Sequence, residues 1–257
     1  VLTKPLSPGV LGDRWLAFSE TDHSNRVVVW LRNWRPDAWQ GGLEDDARLA
    51  SALSDCRALK HPHILSIDEV GHDEDGRAYV VTPFTGDQNG VVTLDLLLRT
   101  KGGFLAVEEA KRALEQLLAG VVHAHESGMA HGELTMSEIQ VDTRGRVCID
   151  LYGVARALSS SPPPIDEDRS AEIRSICRLG YQMLTGLRPD SPLIPAGRVV
   201  LGLHRTWEDF FDTGLGSPGF TSADHALSAL NSCRTALHPS GLGRMGSAIR
   251  GLLRSRH

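Results

Sequence analysis

The sequence predicts an α+β fold, a small strand-rich half followed by a larger, mainly helical half. Three observations predict it. Up to Phe84 the runs rich in β-formers resemble strands, interrupted by one helical run. Beyond that point the apolar spacing changes to the helical period. The 257 residues are also enough to bury a large core, and they suit one large domain or two lobes sharing a cleft.

Taken in order, residues 10–32 set "WLAF" and "RVVVWL" around the polar turn "ETDHSN", which predicts a hairpin. Residues 44–59 open with acids suited to a helix N-terminus, and Leu49, Leu53, Cys56 and Leu59 fall on one helical face. "HILSIDEV" and "RAYVVTPF", joined by "GHDEDG", predict two more strands. Residues 106–126 place Ala110, Leu114, Leu117, Val121 and His125 on one face of a long helix. Short strand-like pieces surround 139–150, and "SSSPPP" at 159–164 must be irregular. A further helix over 168–185 ends at Gly186, with Pro189 just beyond. The remainder reads as helices with Gly/Pro-rich joints, without an internal repeat.

Composition narrows the function classes. Apolar residues make up 41% and charged residues 23%, an ordinary globular balance. A net charge of −5 leaves no basic excess to pair with phosphates, so a nucleic-acid partner is not expected. No apolar run approaches membrane-spanning length and no signal peptide opens the chain, so this segment is expected to make no membrane contact. The start at Val1 and the uncapped end "RGLLRSRH" predict a domain of a longer protein, which is compatible with a membrane-anchored parent. Cys56, Cys148, Cys177 and Cys233 form no CxxC pair, which predicts buried thiols in a cytoplasmic protein rather than a zinc site or disulfides. Of the 27 basic residues four are lysines: Lys4, Lys60, Lys101 and Lys111.

Several motifs, in order, give the chain a likeness. "LSPGVLGDRW" keeps Gly9 and Gly12 of a glycine-rich loop, with Ser7 in place of a first glycine. "LKHPHIL", "AYVVTPF", "HGELTMSEI", "LYGVAR" and "AEIRSICRLGYQMLTGLRP" follow. The sequence resembles the protein kinase superfamily, in particular bacterial Ser/Thr kinases of eukaryotic type, clearly over 5–190 and faintly over 200–254. The resemblance implies a bilobal protein-kinase-like fold: an N-lobe at 1–83, a C-lobe at 84–257 and a hinge at 83–86. Thr82 would be the gatekeeper, and Glu172 stands where the family has aspartate.

Phosphoryl transfer requires metal ions on the β- and γ-phosphates, a lysine on the phosphates and a carboxylate orienting the attacking hydroxyl. By the resemblance these positions are degenerate. Trp30 stands for the third-strand lysine and Ala52 for the helix glutamate that would pair with it. Glu133 replaces the catalytic aspartate, Thr135 the lysine two residues on, Glu138 the metal-binding asparagine and Leu151 the metal-binding aspartate. Asp150 is one residue early, which strand alternation turns to the opposite face. Arg32 is a remote substitute for the lysine. Singly, Glu133, Glu138 and Asp150 also read as solvated loop acids, Gly9 and Gly12 as hairpin glycines, and His131 as a packing residue.

Two stacks of side chains organise the family fold. The first maps to Cys56, Ile67, Tyr152 and His131, and all four suit a packed stack. The second, completed in the family by adenine, maps to Arg14, Val28 and Gln140, where two polar heads would need partners if buried. They are expected to satisfy each other, Glu138 or water, while Trp30 projects into the cleft and plugs it. The stretch from Gly153 to Glu172 is short, with three prolines, which predicts an extended connector without a regulatory phosphothreonine. Arg244 matches an arginine whose usual glutamate partner is missing. The expectation is a catalytically inactive pseudokinase domain without cofactor or metal, a protein-binding scaffold within a larger bacterial signalling protein. Its expected partner is a protein, with a Ser/Thr kinase pathway component as candidate. The alternatives are a weak atypical kinase or transferase using Glu138 and Glu133, and a nucleotide sensor that needs no metal.

Overall fold

The computed structural model describes residues 1–31, 43–74, 76–159, 161–189 and 192–235. Arg32, Arg244 and the end of the expected helical half lie outside them. Strands β1 (Leu2–Pro5), β2 (Gly12–Ser19), β3 (Ser24–Leu31), β4 (Glu69–His72) and β5 (Ala78–Pro83) form an antiparallel sheet in the order β1-β2-β3-β5-β4. The expected hairpin is β2–β3. β1 escaped the sequence reading because all four of its residues are exposed at the sheet edge and show no alternation.

Helix α1 (Leu43–Ala58) follows β3. Ala52, Leu53 and Cys56 join Val27, Val29, Leu31 and Val80 from one face of the sheet in a common core. "HILSIDEV" is a strand only at its end. Its first part is a loop whose backbone is satisfied elsewhere: Leu65 N–H donates to Ile149 O at 2.9 Å, and Ile149 N–H donates to His63 O at 2.9 Å.

After β5 the chain is mainly helical. α2 (Leu94–Thr100) starts at Thr93, whose hydroxyl accepts from Leu96 N–H at 3.3 Å. α3 (Val107–Glu126) buries Ala110, Leu114, Leu117 and Val121 completely, as its periodicity requires. A two-stranded ribbon, β6 (Ile139–Val141) and β7 (Val147–Ile149), follows. α4 (Val154–Leu158) corrects the expectation of an extended connector. Val154 and Leu158 are buried and α4 lies against α1. Arg48 of α1 donates to the carbonyls of Ala157 and Ser159 at 3.1 and 2.5 Å, closing orphan groups at the C-terminal end of α4. The prolines confine the irregular stretch to the residues before α5 (Ile165–Thr185), which starts three residues earlier than expected. Pro164 occupies the N-cap position without a side-chain cap, and Asp166, Glu167 and Asp168 complement the first-turn dipole. Gly186 ends α5 in the left-handed region at φ 70°. α6 (Ala196–Val199), α7 (Thr206–Leu215) and α8 (Ala223–Asn231) complete the described fold. No described helix is long and apolar enough to cross a membrane.

Candidate functional site between the sheet and the 131–153 loop

The loop side of the site is held from below by one carboxylate. Glu172 of α5 is 0% exposed. It accepts from His131 N–H at 3.1 Å and Tyr152 Oη at 2.8 Å, and it meets His125 Nε2 of α3 at 3.0 Å. One side chain thereby ties α3, the start of "HGEL" and the "LYG" turn together. His131 and Tyr152 rings meet edge to face, with centroids 5.4 Å apart. Burial, then the charge of Glu172, raises the Tyr152 phenol far above its usual range, so it stays a hydrogen-bond donor. Cys56 and Ile67 are also buried. Burial foremost, and the nearby charge of Asp150, push the Cys56 thiol to about 12.

On the sheet side, register decides what faces the loop. Arg14 lies opposite Val29, and Gly12 opposite Leu31. Residues directly opposite on antiparallel strands share a face, so Arg14 and Val29 point together toward the loop and line one cavity with it. Asp13, Trp15, Val28 and Trp30 take the other face. Trp30 therefore does not enter the site, which corrects the expected plug. Its ring packs against Tyr79 with centroids 5.2 Å apart, under the Arg77 guanidinium at 5.5 Å, and Arg77 also meets Asp13 at 3.3 Å. Val28 likewise belongs to the outer face. The inward positions on β3 are Val27 and Val29. Thr82, opposite Val27, is 1% exposed.

The filling of the site differs from expectation too. Arg14, 3% exposed, forms a buried ion pair with Asp150, 8% exposed, across the gap between β2 and the end of β7. Asp150 is not turned away. β7 ends at Ile149, and Leu151 adopts a left-handed φ of 42°, so simple alternation does not extend to this pair. Gly9 lies directly on the guanidinium: a Cβ there would come within 2.7 Å of Arg14 Nε, so a larger residue would have to displace the arginine head. Gly9, Val10, Val29, His131 and Glu138 are among the residues that line what remains beside the pair, a cavity of about 10 Å³, close to the smallest that holds one water.

The other candidates disperse. Gln140 is buried and accepts from Thr85 Oγ1 at 2.6 Å, rather than meeting Arg14. Glu138 Oε2 accepts from Thr135 N–H at 2.9 Å and from its hydroxyl at 2.7 Å, closing a local turn, while Oε1 stands 3.8 Å from His131 Nε2. Glu133 is 70% exposed and faces Arg178 of α5 at 3.5 Å. Ala52 lies in the core beside α1's other inward residues. Among the described residues no group of three or more His, Cys, Asp or Glu could hold a metal ion.

Asp150 and Thr85 are the partners that sequence reasoning missed. A signal existed for Asp150: a buried arginine requires an acid, and Asp150 is the acid next to the "LYG" turn.

An antiparallel sheet with α1 packed on it, followed by a helical assembly around the 131–153 loop, is compatible with a kinase-like fold. No protein-family model matches the chain. Its relatives include Ser/Thr protein kinases. It is 31% identical over 104 residues to serine/threonine-protein kinase PrkC of Bacillus subtilis, covering 40% of this chain and 15% of that protein. It is 27% identical over 232 residues to a putative cyclin-dependent kinase F-2 of Oryza sativa, covering 79% and 67%. CBL-interacting protein kinase 17 of the same plant is 28% identical over 116 residues, 45% and 23%. The chain thus matches less than a quarter of the length of two of these three relatives. They support a place in the protein-kinase-like superfamily.

Proposed function

We propose that the chain is a pseudokinase-type domain, inactive in phosphoryl transfer, that serves as a protein-binding regulatory module of a larger bacterial signalling protein in the cytoplasm. In this reading residues 1–83 and 84–257 are two lobes joined at 83–86, and the partner is a protein, with Ser/Thr kinase pathway components as the first candidates. The observation that carries it is the Arg14–Asp150 pair, which fills the space between the sheet and the 131–153 loop with the chain's own side chains. A guanidinium already sits against Asp150, the acid next to the metal-binding position, and would repel a divalent cation there. Val29 faces the site where a phosphate-binding lysine would be needed, and Ala52 offers no acid to hold one. A transferase using Glu133 and Glu138 has less support, because one pairs with Arg178 at the surface and the other closes the Thr135 turn. Incubation with γ-labelled ATP and Mg²⁺, alone and with generic protein substrates, tests the reading. No incorporation above a heat-denatured control is expected, and stoichiometric labelling of the chain or a substrate would refute it.

A further inference from the structure

Three histidines meet where the loop before β4 crosses α3. His61 and His63 come from "LKHPHIL" and His123 from α3. The His61 ring stacks on His123 with centroids 5.3 Å apart and planes at 21°, and meets His63 edge to face at 5.4 Å. Their hydrogen bonds assign the protons. His63 Nδ1 lies 2.9 Å from Val147 O, a pure acceptor, so it carries hydrogen. His61 Nδ1 accepts from His63 N–H at 3.2 Å, so its lone pair is the group that holds the turn. α3 approaches so closely that a Cβ at Gly120 would lie 3.3 Å from His63 O and 3.6 Å from His61 Nδ1.

We propose that this joint is pH-sensitive: protonation of His61 at Nδ1 releases the loop from α3 and β7 and loosens the strand that presents Asp150. The proton would turn the acceptor of His63 N–H into a second donor facing it, and would place a cation on the stacked His123 ring. The released loop is the one bonded through His63 O and Leu65 N–H to Ile149, next to Asp150. Among the described residues no acid acts on His61. The charges acting on His61 are His63 and His123. Lys60 adjoins it in the chain, Arg57 of α1 donates to Asp68 O, and Arg146 before β7 holds Asp142. Asp55 of α1 and Glu126 of α3 are exposed. Burial, and then the two neighbouring histidines, hold the His61 pKa below its ordinary 6.5. The unfolded chain therefore takes up more protons in the window just below 6.5. The contribution of His61 is present above that value and is lost as pH falls through the window.

The test compares wild type with His61→Asn. Asparagine can accept the same N–H two residues on but cannot titrate. Between about pH 7.5 and about pH 5.5, either side of the ordinary imidazole value, wild type should lose several degrees of melting temperature. Amide exchange at Leu65 and Ile149, corrected for its intrinsic pH dependence, should quicken several-fold. In His61→Asn both changes should shrink markedly, with the melting temperature at the higher pH kept. If that variant fails to fold, His123→Gln, which removes the stacked partner, should weaken the same pH response. A wild-type and variant response of equal size, or an NMR titration of His61 with a midpoint at or above 6.5, would overturn the proposal.

Discussion

Glu172 and Asp150 are both buried acids beside the same loop, yet their surroundings differ in kind. Glu172 is met by three groups from three parts of the chain, so its desolvation is offset by hydrogen bonds that also fix the loop. Among the described residues the Asp150 side chain pairs with Arg14, while its Oδ1, like Arg14 Nε, has no hydrogen-bond partner there. One acid holds the architecture in place. The other occupies space. A buried pair with incomplete hydrogen bonding adds little net stability, so its role is better sought in what it excludes than in what it holds.

Substitution at either acid should destabilise the chain, with unequal effects. Glu172→Ala should cause the largest loss, on the order of 4 kcal/mol or more, because it strands two buried donors at once. Chemical denaturation would measure it, and a loss below about 1 kcal/mol would show that Glu172 is not the anchor. Arg14→Ala should come next at about 3 kcal/mol, since it leaves Asp150 buried without its cation. Replacing the pair together, Arg14→Leu with Asp150→Leu, should recover most of that loss. If the double variant is as unstable as the single one, the pair is structural after all.

Trp30→Ala probes the outer face of the sheet. A partly buried indole held by Tyr79 and Arg77 should contribute about 1–2 kcal/mol, and its removal should leave nucleotide affinity unchanged. A gain in ATP binding would mean that Trp30 reaches the site. The smallest effect belongs to Glu133→Ala, within about 0.5 kcal/mol, because its ion pair with Arg178 is at the surface.

What the sequence made legible follows from where physical constraints are redundant. α3 and α5 were readable because several buried positions repeat at helical spacing and, for α5, a glycine marks the end. The β2–β3 hairpin was readable from its turn. The face of β3 was not, since "VVVW" is apolar throughout and lacks the alternation that sets register. A slip of one residue exchanges Trp30 for Val29 and inverts the reading of the site. Asp150 was misplaced for a related reason: strand alternation was extended past Ile149 into a turn, where it does not apply. α4 was hidden because five residues are too few to show a period, and the neighbouring prolines suggested an extended chain. Gln140 was marked as a polar head that needs a partner if buried, but that partner, Thr85, lies 55 positions away in the chain, beyond the reach of local pattern.

In the proposed reading, the chain's own Arg14 and Asp150 stand where a nucleotide and its metal would otherwise sit. Calorimetric titration of ATP into the wild-type chain, with Mg²⁺ and again with a chelator, tests it most directly. Weak binding or none is expected, with no difference between the two titrations. A micromolar affinity that appears with Mg²⁺ and disappears with the chelator would contradict it.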